Sequence, residues 1–472
     1  KRSGWYRIRS WKQRHPWSAA LVVMLGMALL WQGISSPTVS SATTTHKNLL
    51  IVVVDTADSV ASAPSPGQSP LLKDAVYFDN AWSPIPSTAG AWASLVTGQY
   101  PHQHHIRNDY SPPSPSAWIG GAEWGEAGFR TGYFSSSVAS MADTMPFGST
   151  TIFTPDASLI GHTRRHIMRQ QPALLATFLQ WPSTVPTWTG VHGLSAPATT
   201  QKLTDKALRW IAEDTASPFA MVIRYGTQDT ALSHPKRPTH QTAIANAMTH
   251  ISATLQAWDL YKNTHVVYVA LSAPAGPGLQ AARVPLWIRK ADDSVTAATT
   301  QTTPVSLVDV MPTLQTFFSE VRTRPTDGIN RWPEPKTAAS AVYIESTGLV
   351  QHETSHIIQT IDLAQDIRVD KDTLRLHLPL SLQDEVLMAK ERTILHDGFR
   401  LTYTPQRQGV RWTMEKQGEP LSPSPPWITR DSQRFHRLQQ LLMNWTLGDP
   451  KMIQQGDYWV PRKSAQKVAQ RP

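Results

Sequence analysis

The stretch NLLIVVVD, residues 48 to 55, is a continuous apolar run that ends in a carboxylate. An unbroken apolar run of this length is typical of a parallel strand that is buried on both faces of a sheet. Three other runs have the same character, namely FAMVIRY at 219–225, HVVYVAL at 265–271 and VPLWIRK at 284–290. Together the four runs predict the centre of a mostly parallel sheet.

Amphipathic helical patterns separate these runs. Leu203, Ala207, Trp210 and Ile211 share one helical face before FAMVIRY. Between residues 244 and 258, apolar residues recur at spacings of 4, 3, 4 and 3 before HVVYVAL. Alternation of strands and helices predicts an α/β domain with helices on both faces of the sheet.

The pattern changes after about residue 340. FRLTYTP and GVRWTME alternate apolar and polar residues like an antiparallel hairpin, and SQRFHRLQQLLMNWTLG has the pattern of an amphipathic helix. We therefore predict an α/β core at 48–340, followed at 341–472 by a smaller antiparallel subdomain and a tail.

The composition narrows the class of protein. The chain has 472 residues, of which 40% are hydrophobic and 17% are charged, which excludes global disorder. The chain contains no cysteine, which excludes disulfides, thiolate metal sites and cysteine nucleophiles. The net charge is +9, but six basic residues lie among the first fourteen. Membrane topology or anionic lipid explains this cluster better than nucleic acid, so we expect no nucleic-acid partner.

An uncharged apolar run follows the basic cluster. WSAALVVMLGMALLWQGI, residues 17 to 34, is just long enough to cross a hydrocarbon layer of about 30 Å. The positive-inside rule then predicts a cytoplasmic tail at 1–15, a transmembrane helix at 16–34 and a tether at 35–47. The main domain would be periplasmic or otherwise extracytoplasmic, on a bacterial-type inner membrane. A cleaved signal peptide is the alternative interpretation.

Seven segments, in this order, resemble the sulfatase branch of the alkaline phosphatase superfamily. They extend over residues 48–449, and the resemblance implies an alkaline-phosphatase-like fold. The segments are the first strand with Asp55, SPLLKDAVYFDNAWS (69–83), STAGAWASLVTGQYPHQHHI (87–106), LTDKALRWIAED with SPFAMVIRY, ARVPLWIRK, PVSLVDVMPTL (304–314) and the terminal LHDGFRLTYTP…NWTLGDP.

The resemblance implies a metal-dependent mechanism. In that family, one or two divalent metals polarise a sulfate or phosphate oxygen and activate a hydroxyl nucleophile at the start of a helix. Ten residues before Gly98, the nucleophile position falls on Thr88. Sulfatases have a Cys or Ser there that becomes formylglycine, and phospho-transferring relatives often have Thr. Asp55 matches a metal ligand.

Most of the other metal ligands are missing. In active relatives the strand that matches HVVYVAL ends in Ser-Asp-His-Gly, whose Asp and His bind metal, but Ala273 and Pro274 stand at those positions. Thr56 stands at the second acidic position of the first strand, and no histidine follows FAMVIRY where one is expected. Asp55 and Thr88 remain, and two monodentate groups do not bind a divalent metal tightly. We therefore expect a degenerate member of the family that holds no cofactor.

Simpler roles are also open for these residues. In the simpler interpretation, Asp55 is a remnant of the metal site that accepts hydrogen bonds from backbone amides at the strand end, and the Thr88 hydroxyl is a helix N-cap. His102, His104 and His105 then fix a loop, as histidines do in the family; the alternative is a relocated metal site.

The sequence thus favours a membrane-anchored pseudoenzyme that acts as a structural or partner-binding protein, its partner being another membrane or periplasmic protein. One alternative is an active hydrolase or phosphotransferase for phosphate or sulfate esters, with Thr88 as nucleophile and a divalent metal as cofactor. Another is a glycan- or lipid-binding module that reuses the old cleft. Ala273 and Pro274, which stand where active relatives have metal ligands, favour the pseudoenzyme over the active enzyme.

Overall fold

The computed structural model describes a defined part of the chain, all of it after residue 46. The described residues are 47–56, 69–111, 121–136, 147–155, 191–194, 200–226, 240–273, 278–291, 299–322, 324–332, 341–348, 366–369, 376–406, 409–416 and 432–462. The predicted transmembrane helix lies outside them. Within these ranges, no helix is both long and apolar enough to cross a membrane.

Strands and helices are numbered in chain order. The strands are β1 (Asn48–Thr56), β2 (Val76–Phe78), β3 (Ala81–Trp82), β4 (Arg130–Ser135), β5 (Thr151–Pro155), β6 (Val191–Leu194), β7 (Phe219–Tyr225), β8 (Thr264–Ser272), β9 (Leu286–Arg289), β10 (Thr300–Gln301), β11 (Val305–Ser306), β12 (Val342–Glu345), β13 (Arg368–Val369), β14 (Leu376–His377), β15 (Arg392–His396), β16 (Phe399–Gln406), β17 (Gly409–Lys416), β18 (Met452–Gln455) and β19 (Tyr458–Pro461). The helices are α1 (Thr88–Thr97), α2 (Pro101–His104), α3 (Ala122–Glu126), α4 (Thr200–Ala212), α5 (His240–Ala257), α6 (Val310–Gln315), α7 (Leu380–Ala389) and α8 (Ser432–Leu447).

A nine-stranded sheet forms the core, in the order β10-β2-β9-β8-β1-β7-β4-β5-β6. Strand β1 pairs in parallel with β7 on one side and with β8 on the other. Strand β9 is antiparallel to both of its neighbours, and every other adjacent pair in this sheet is parallel. The predicted mostly parallel sheet, with all four apolar runs in it, is therefore confirmed.

Helices cover both faces of β1, which is why its sequence shows no alternation. Alternate residues of β1 belong to two different hydrophobic clusters, because successive side chains of a strand point to opposite faces. Leu49, Ile51 and Val53 pack with α1 and α6. The residues between them pack with α4 and α5, including Trp210 and Ile251.

A separate antiparallel sheet has the order β12-β15-β16-β17. The predicted hairpin is β16 and β17, which pair from Phe399↔Lys416 to Gln406↔Gly409. Helix α8 packs on this sheet through Leu438 and Leu442, as its amphipathic pattern predicts. The antiparallel C-terminal sheet is thus confirmed, and the exact boundary at residue 340 stays a prediction.

Buried ion pairs join the loop after α2 to this C-terminal sheet. Arg107 pairs with Asp449 and lies 3.6 Å from Glu345 Oε2, and Lys390 Nζ lies 3.1 Å from Glu345 Oε1. Lys390 Nζ also donates to the Arg107 carbonyl at 3.1 Å. Burial alone would raise the pKa of Glu345, but Lys390, Arg107 and Arg392 outweigh it and lower the pKa to about 2. The loop is therefore held by charges that persist at neutral pH.

Candidate functional site

The carboxyl ends of β1, β7 and β8 meet at one edge of the sheet, because the three strands are parallel. Asp55 lies at the end of β1, and Arg224 is the last residue but one of β7. Both side chains point to the face covered by α1, since they share the alternation of Val53 and Val222. This edge is where an open α/β sheet usually binds its ligand.

Asp55 forms an ion pair inside the protein. Arg224 Nε donates to Asp55 Oδ1 at 2.5 Å, and the Arg224 side chain is completely buried. The guanidinium carbon of Arg224 also lies 5.6 Å from the ring centre of Trp92 on α1, so the cation faces an aromatic ring. The carboxylate predicted as a vestigial metal ligand is thus in contact with a permanent positive charge.

Two hydroxyl groups complete the end of the neighbouring strands. Ser272 Oγ donates to the Asp55 carbonyl at 3.0 Å, and the Thr56 and Ser272 hydroxyl oxygens are 3.1 Å apart. Because Ser272 uses its single proton on that carbonyl, Thr56 is the donor in the second bond. Ala273 follows with a methyl side chain, and its N–H donates to the Ala281 carbonyl at 2.9 Å. Pro274 lies outside the described residues.

Thr88 is the first residue of α1 and is bound to a carboxylate on another segment. Asp109 Oδ1 accepts hydrogen bonds from Ser87 Oγ, Thr88 Oγ1 and the Ala89 N–H, each at 2.9 Å. Ser87 is the N-cap and accepts from the Gly90 N–H at 3.2 Å. The Ala89 and Gly90 N–H groups at the start of α1 are therefore satisfied by the protein's own side chains.

The histidine cluster does not have the geometry of a metal site. His104 Nδ1 accepts from the Ile106 N–H at 3.1 Å, so the neutral ring carries its proton on Nε2 and donates to Ser94 Oγ at 2.8 Å. Burial chiefly lowers the pKa of His104, to about 3. His102 packs between Tyr100 and the edge of Trp445. Across the described ranges, no group of three or more His, Asp or Glu side chains could hold a metal ion.

The donors that the described residues place at this edge do not fit the divalent metal of the family that the sequence resembles. A metal bound to Asp55 would lie against the guanidinium of Arg224, and like charges in a buried site repel strongly. Among the described residues, the other side-chain oxygens bonded at this strand end are the hydroxyls of Thr56 and Ser272, which bond each other and the Asp55 carbonyl. These residues therefore do not support a metal-dependent step.

Arg224 and Asp109 are two residues of this site that the sequence pattern did not single out. Arg224 carries the one charge in the apolar run FAMVIRY, and a charge inside a doubly buried strand requires a partner. The sequence therefore indicates that Arg224 has a buried partner, but it does not identify Asp55 as that partner. Asp109 lies on a loop 21 residues after Thr88 and has no periodic signal.

Comparison with known proteins shows the fold. No family model and no curated protein sequence matches the chain. A phosphonate monoester hydrolase from Silicibacter pomeroyi superposes with a TM-score of 0.58 at 14% identity, covering 88% of this chain and 99% of that one. The phosphonate monoester hydrolase of Agrobacterium radiobacter superposes with a TM-score of 0.59 at 13% identity, covering 88% of this chain and 100% of that one. A sulfatase from Pseudoalteromonas sp. superposes with a TM-score of 0.52 at 12% identity, covering 85% of this chain and 89% of that one. The chain thus has the alkaline-phosphatase-like fold of sulfatases and phosphonate monoester hydrolases, which confirms the resemblance at the level of fold.

Proposed function

We propose that this chain is a membrane-anchored, extracytoplasmic pseudoenzyme with a sulfatase-like fold, which acts by binding a partner and not by ester turnover. The observation that supports this most directly is the buried ion pair between Asp55 and Arg224. In a metal-dependent hydrolase, a carboxylate at this strand end would donate its oxygen to the metal. Here its charge is already neutralised within the protein.

A guanidinium does not replace a metal in such a reaction. A bound metal polarises a substrate oxygen and activates a nucleophile through open coordination positions. Arg224 has a fixed charge and a planar fork of N–H donors, and its side chain is completely buried between the sheet and Trp92. Ala273 adds a methyl group where a ligand would be needed. The site is therefore suited to hold the fold together and not to promote hydrolysis.

The membrane part of the proposal rests on the sequence. The basic cluster before residue 15 and the apolar run at 17–34 favour a retained anchor with the domain outside. An anchored protein without catalysis would act on another membrane or periplasmic protein. A reporter fused to the C-terminus should show export, and a cytoplasmic C-terminus would contradict the anchor.

One observation favours the alternative of an active transferase. Thr88 Oγ1 lies 2.9 Å from Asp109 Oδ1, so a carboxylate is placed to take the proton of a hydroxyl nucleophile. The same oxygen also accepts from Ser87 and from the Ala89 N–H, as a helix cap would. A glycan- or lipid-binding role for the cleft is compatible with the same contacts.

The first prediction concerns metal content and turnover. The purified full-length chain should carry far less than one equivalent of Zn²⁺, Mn²⁺ or Ca²⁺ by elemental analysis. It should not hydrolyse aryl phosphate, sulfate or phosphonate monoesters above background. Thr88→Ala should not change either result, because the hydroxyl only donates to Asp109, the carboxylate that accepts from the Ala89 N–H.

Thr249→Ala is the matched control, since the Thr249 hydroxyl bonds the Ala245 carbonyl in its own helix on the protein surface. About one equivalent of bound metal, together with an esterase activity that Thr88→Ala abolishes and Thr249→Ala keeps, would show that the chain is an active enzyme.

A further inference from the structure

We propose that His104 is an acid-sensitive latch, and that a second proton on its ring releases residues 104–109 from α1 and from the C-terminal sheet. We call residues 104–109 the latch segment. Its opening is a pH-dependent conformational change that involves neither substrate nor metal, so it does not depend on the proposed function.

Both ring nitrogens of His104 are used in the folded protein. Nδ1 accepts from the Ile106 N–H at 3.1 Å, and Nε2 donates to Ser94 Oγ on α1 at 2.8 Å. A second proton can bind only Nδ1, where it would face the Ile106 N–H as one donor faces another. Protonation of the ring therefore breaks the hydrogen bond to Ile106.

The surroundings of the ring oppose a positive charge. His104 is 1% exposed, so water does not solvate a charged ring. The titratable and charged groups that face it are Arg107, His102 and His105 from the same loop and Glu345 from β12. Helix α1 meets the ring with the uncharged Ser94 hydroxyl. Glu345 favours a charged ring, but it already pairs with Lys390 and Arg107.

The backbone next to His104 adopts a conformation that is unfavourable for most residues. His105 has a φ of 65°, in the left-handed region, where it ends helix α2. Residues other than glycine adopt this region at a cost, and the surrounding contacts must hold them there. Loss of the bond between His104 and Ile106 removes one of the contacts that hold this turn.

The latch segment carries contacts to two other parts of the protein. The Arg107 side chain pairs with Glu345 on β12 and with Asp449 after α8. Asp109 Oδ1 accepts from the Ala89 N–H at the start of α1. Opening of the segment would break these contacts together. Protonation of histidines near pH 5 to 6 switches interfaces in this way in pH-sensing proteins.

Mild acid should therefore shift the latch segment toward its open state. Burial chiefly lowers the pKa of His104 from 6.5 to about 3 in the closed segment, whereas in the open segment the ring regains its ordinary pKa. Between these two values the open state binds more protons, so opening becomes more favourable as the pH falls from 6.5 toward 3. From pH 7.5 to pH 5.0 the equilibrium constant for opening should rise about 30-fold. This window lies above pH 4.5, where Glu345 begins to take up a proton in the unfolded chain.

The test is hydrogen–deuterium exchange of the full-length chain at pH 7.5 and pH 5.0. Mass spectrometry of peptides that cover the latch segment gives the opening equilibrium, after correction for the intrinsic exchange rate at each pH. The wild type should show the rise of about 30-fold. His104→Asn keeps an acceptor for the Ile106 N–H and removes the titrating ring, so its opening should change by less than about threefold. His250→Asn is the matched control, because His250 is a half-exposed histidine on α5, and it should behave like the wild type.

His104→Gln is the second variant, since its longer side chain reaches toward Ser94. A wild-type segment whose opening does not change with pH would refute the latch, and this measurement needs no variant to fold. The same pH dependence in either folded His104 variant would also refute it, because another group would then be responsible. Peptides from β1 report on the whole domain. If they lose protection at pH 5.0 together with the latch segment, the domain unfolds as a unit and the local latch is contradicted.

Discussion

At the scale of single residues, the guanidinium of Arg224 is the direct partner of Asp55 at the edge of the sheet. It is completely buried, and it lies in contact with the carboxylate at the end of the central strand. A buried charge is tolerated when it is paired, and removal of one partner leaves the other with a large desolvation cost. The two residues should therefore behave as a unit.

The second prediction is a double-mutant cycle on this pair. Arg224→Met should lower the free energy of unfolding by about 3–5 kcal/mol, because Asp55 would keep its buried charge without the guanidinium. Asp55→Asn combined with Arg224→Met should recover most of that loss. Urea denaturation of the wild type, the single variants and the double variant measures the coupling.

The surface pair Arg283–Asp79 is the control for this cycle, since both side chains are more than two-fifths exposed. Exposed pairs of this kind contribute about 0–1 kcal/mol. A coupling energy between Asp55 and Arg224 as small as the control value would show that the pair does not act as a unit.

At the scale of elements, helix α1 is held unusually close to its neighbours. A Cβ added at Gly90 would lie 2.7 Å from Ile85 Cγ2 and 3.0 Å from the Ile106 carbonyl oxygen. The helix therefore approaches the segment that precedes the Asp109 loop as closely as glycine permits. This close approach brings Ser87, Thr88 and Asp109 together.

The third prediction follows from that approach. Gly90→Ala should lower stability by about 1–3 kcal/mol, because either the Ile106 backbone or the helix must move. Gly125→Ala in α3 is the matched control, since the added Cβ meets no atom within 4 Å among the described residues. That substitution should raise stability by about 0.4–1 kcal/mol. Thermal melts of the two variants with opposite shifts support the argument, and equal shifts contradict it.

The elements also show what could be predicted from the sequence. Strands β1, β7 and β8 were predictable, because an apolar run bounded by polar residues needs burial on both faces. The antiparallel direction of β9 could not be predicted, since an apolar run carries no information on the direction of its strand. The pairing of Asp55 with Arg224 spans 169 residues and depends on the order of strands in the sheet. The cap of α1 by Asp109 depends on loop geometry that hydrophobic periodicity does not describe.

At the scale of the whole molecule, buried charges connect the α/β core to the C-terminal sheet. Glu345 on β12 lies between Lys390 and Arg107, and Arg107 belongs to the loop that carries Asp109. The C-terminal sheet thus supports the loop whose Asp109 binds the start of α1. Loss of this support should be visible in both stability and its dependence on pH.

The fourth prediction concerns acid unfolding. Burial opposes the charge of Glu345, but the surrounding cations lower its pKa from 4.5 to about 2. In the unfolded chain the group takes up a proton below about pH 4.5, whereas in the folded chain it does so only near pH 2. Its stabilising contribution is therefore complete above pH 4.5 and is lost as the pH falls toward 2. Denaturation curves between pH 7 and pH 2 should show this loss.

Glu345→Gln should remove that part of the pH dependence and should lower stability at pH 7 by about 3–5 kcal/mol. Glu415→Gln is the comparison, because Glu415 pairs with Arg400 in a less buried position on the hairpin. An unchanged acid profile in Glu345→Gln would mean that the contacts of Glu345 do not stabilise the folded state.

The strand order of the large sheet has a consequence for biosynthesis. Among the described strands, the first to leave the ribosome is the central one, β1, and Ser272, which pairs with Thr56, follows Thr56 by 216 positions. At translation rates of 5–20 residues per second, Ser272 emerges roughly 10 to 40 s later. During that interval an apolar, β-prone segment has no completed sheet to enter, and such segments aggregate readily. We therefore expect the nascent chain to aggregate readily unless a chaperone covers β1 until β8 has been synthesised.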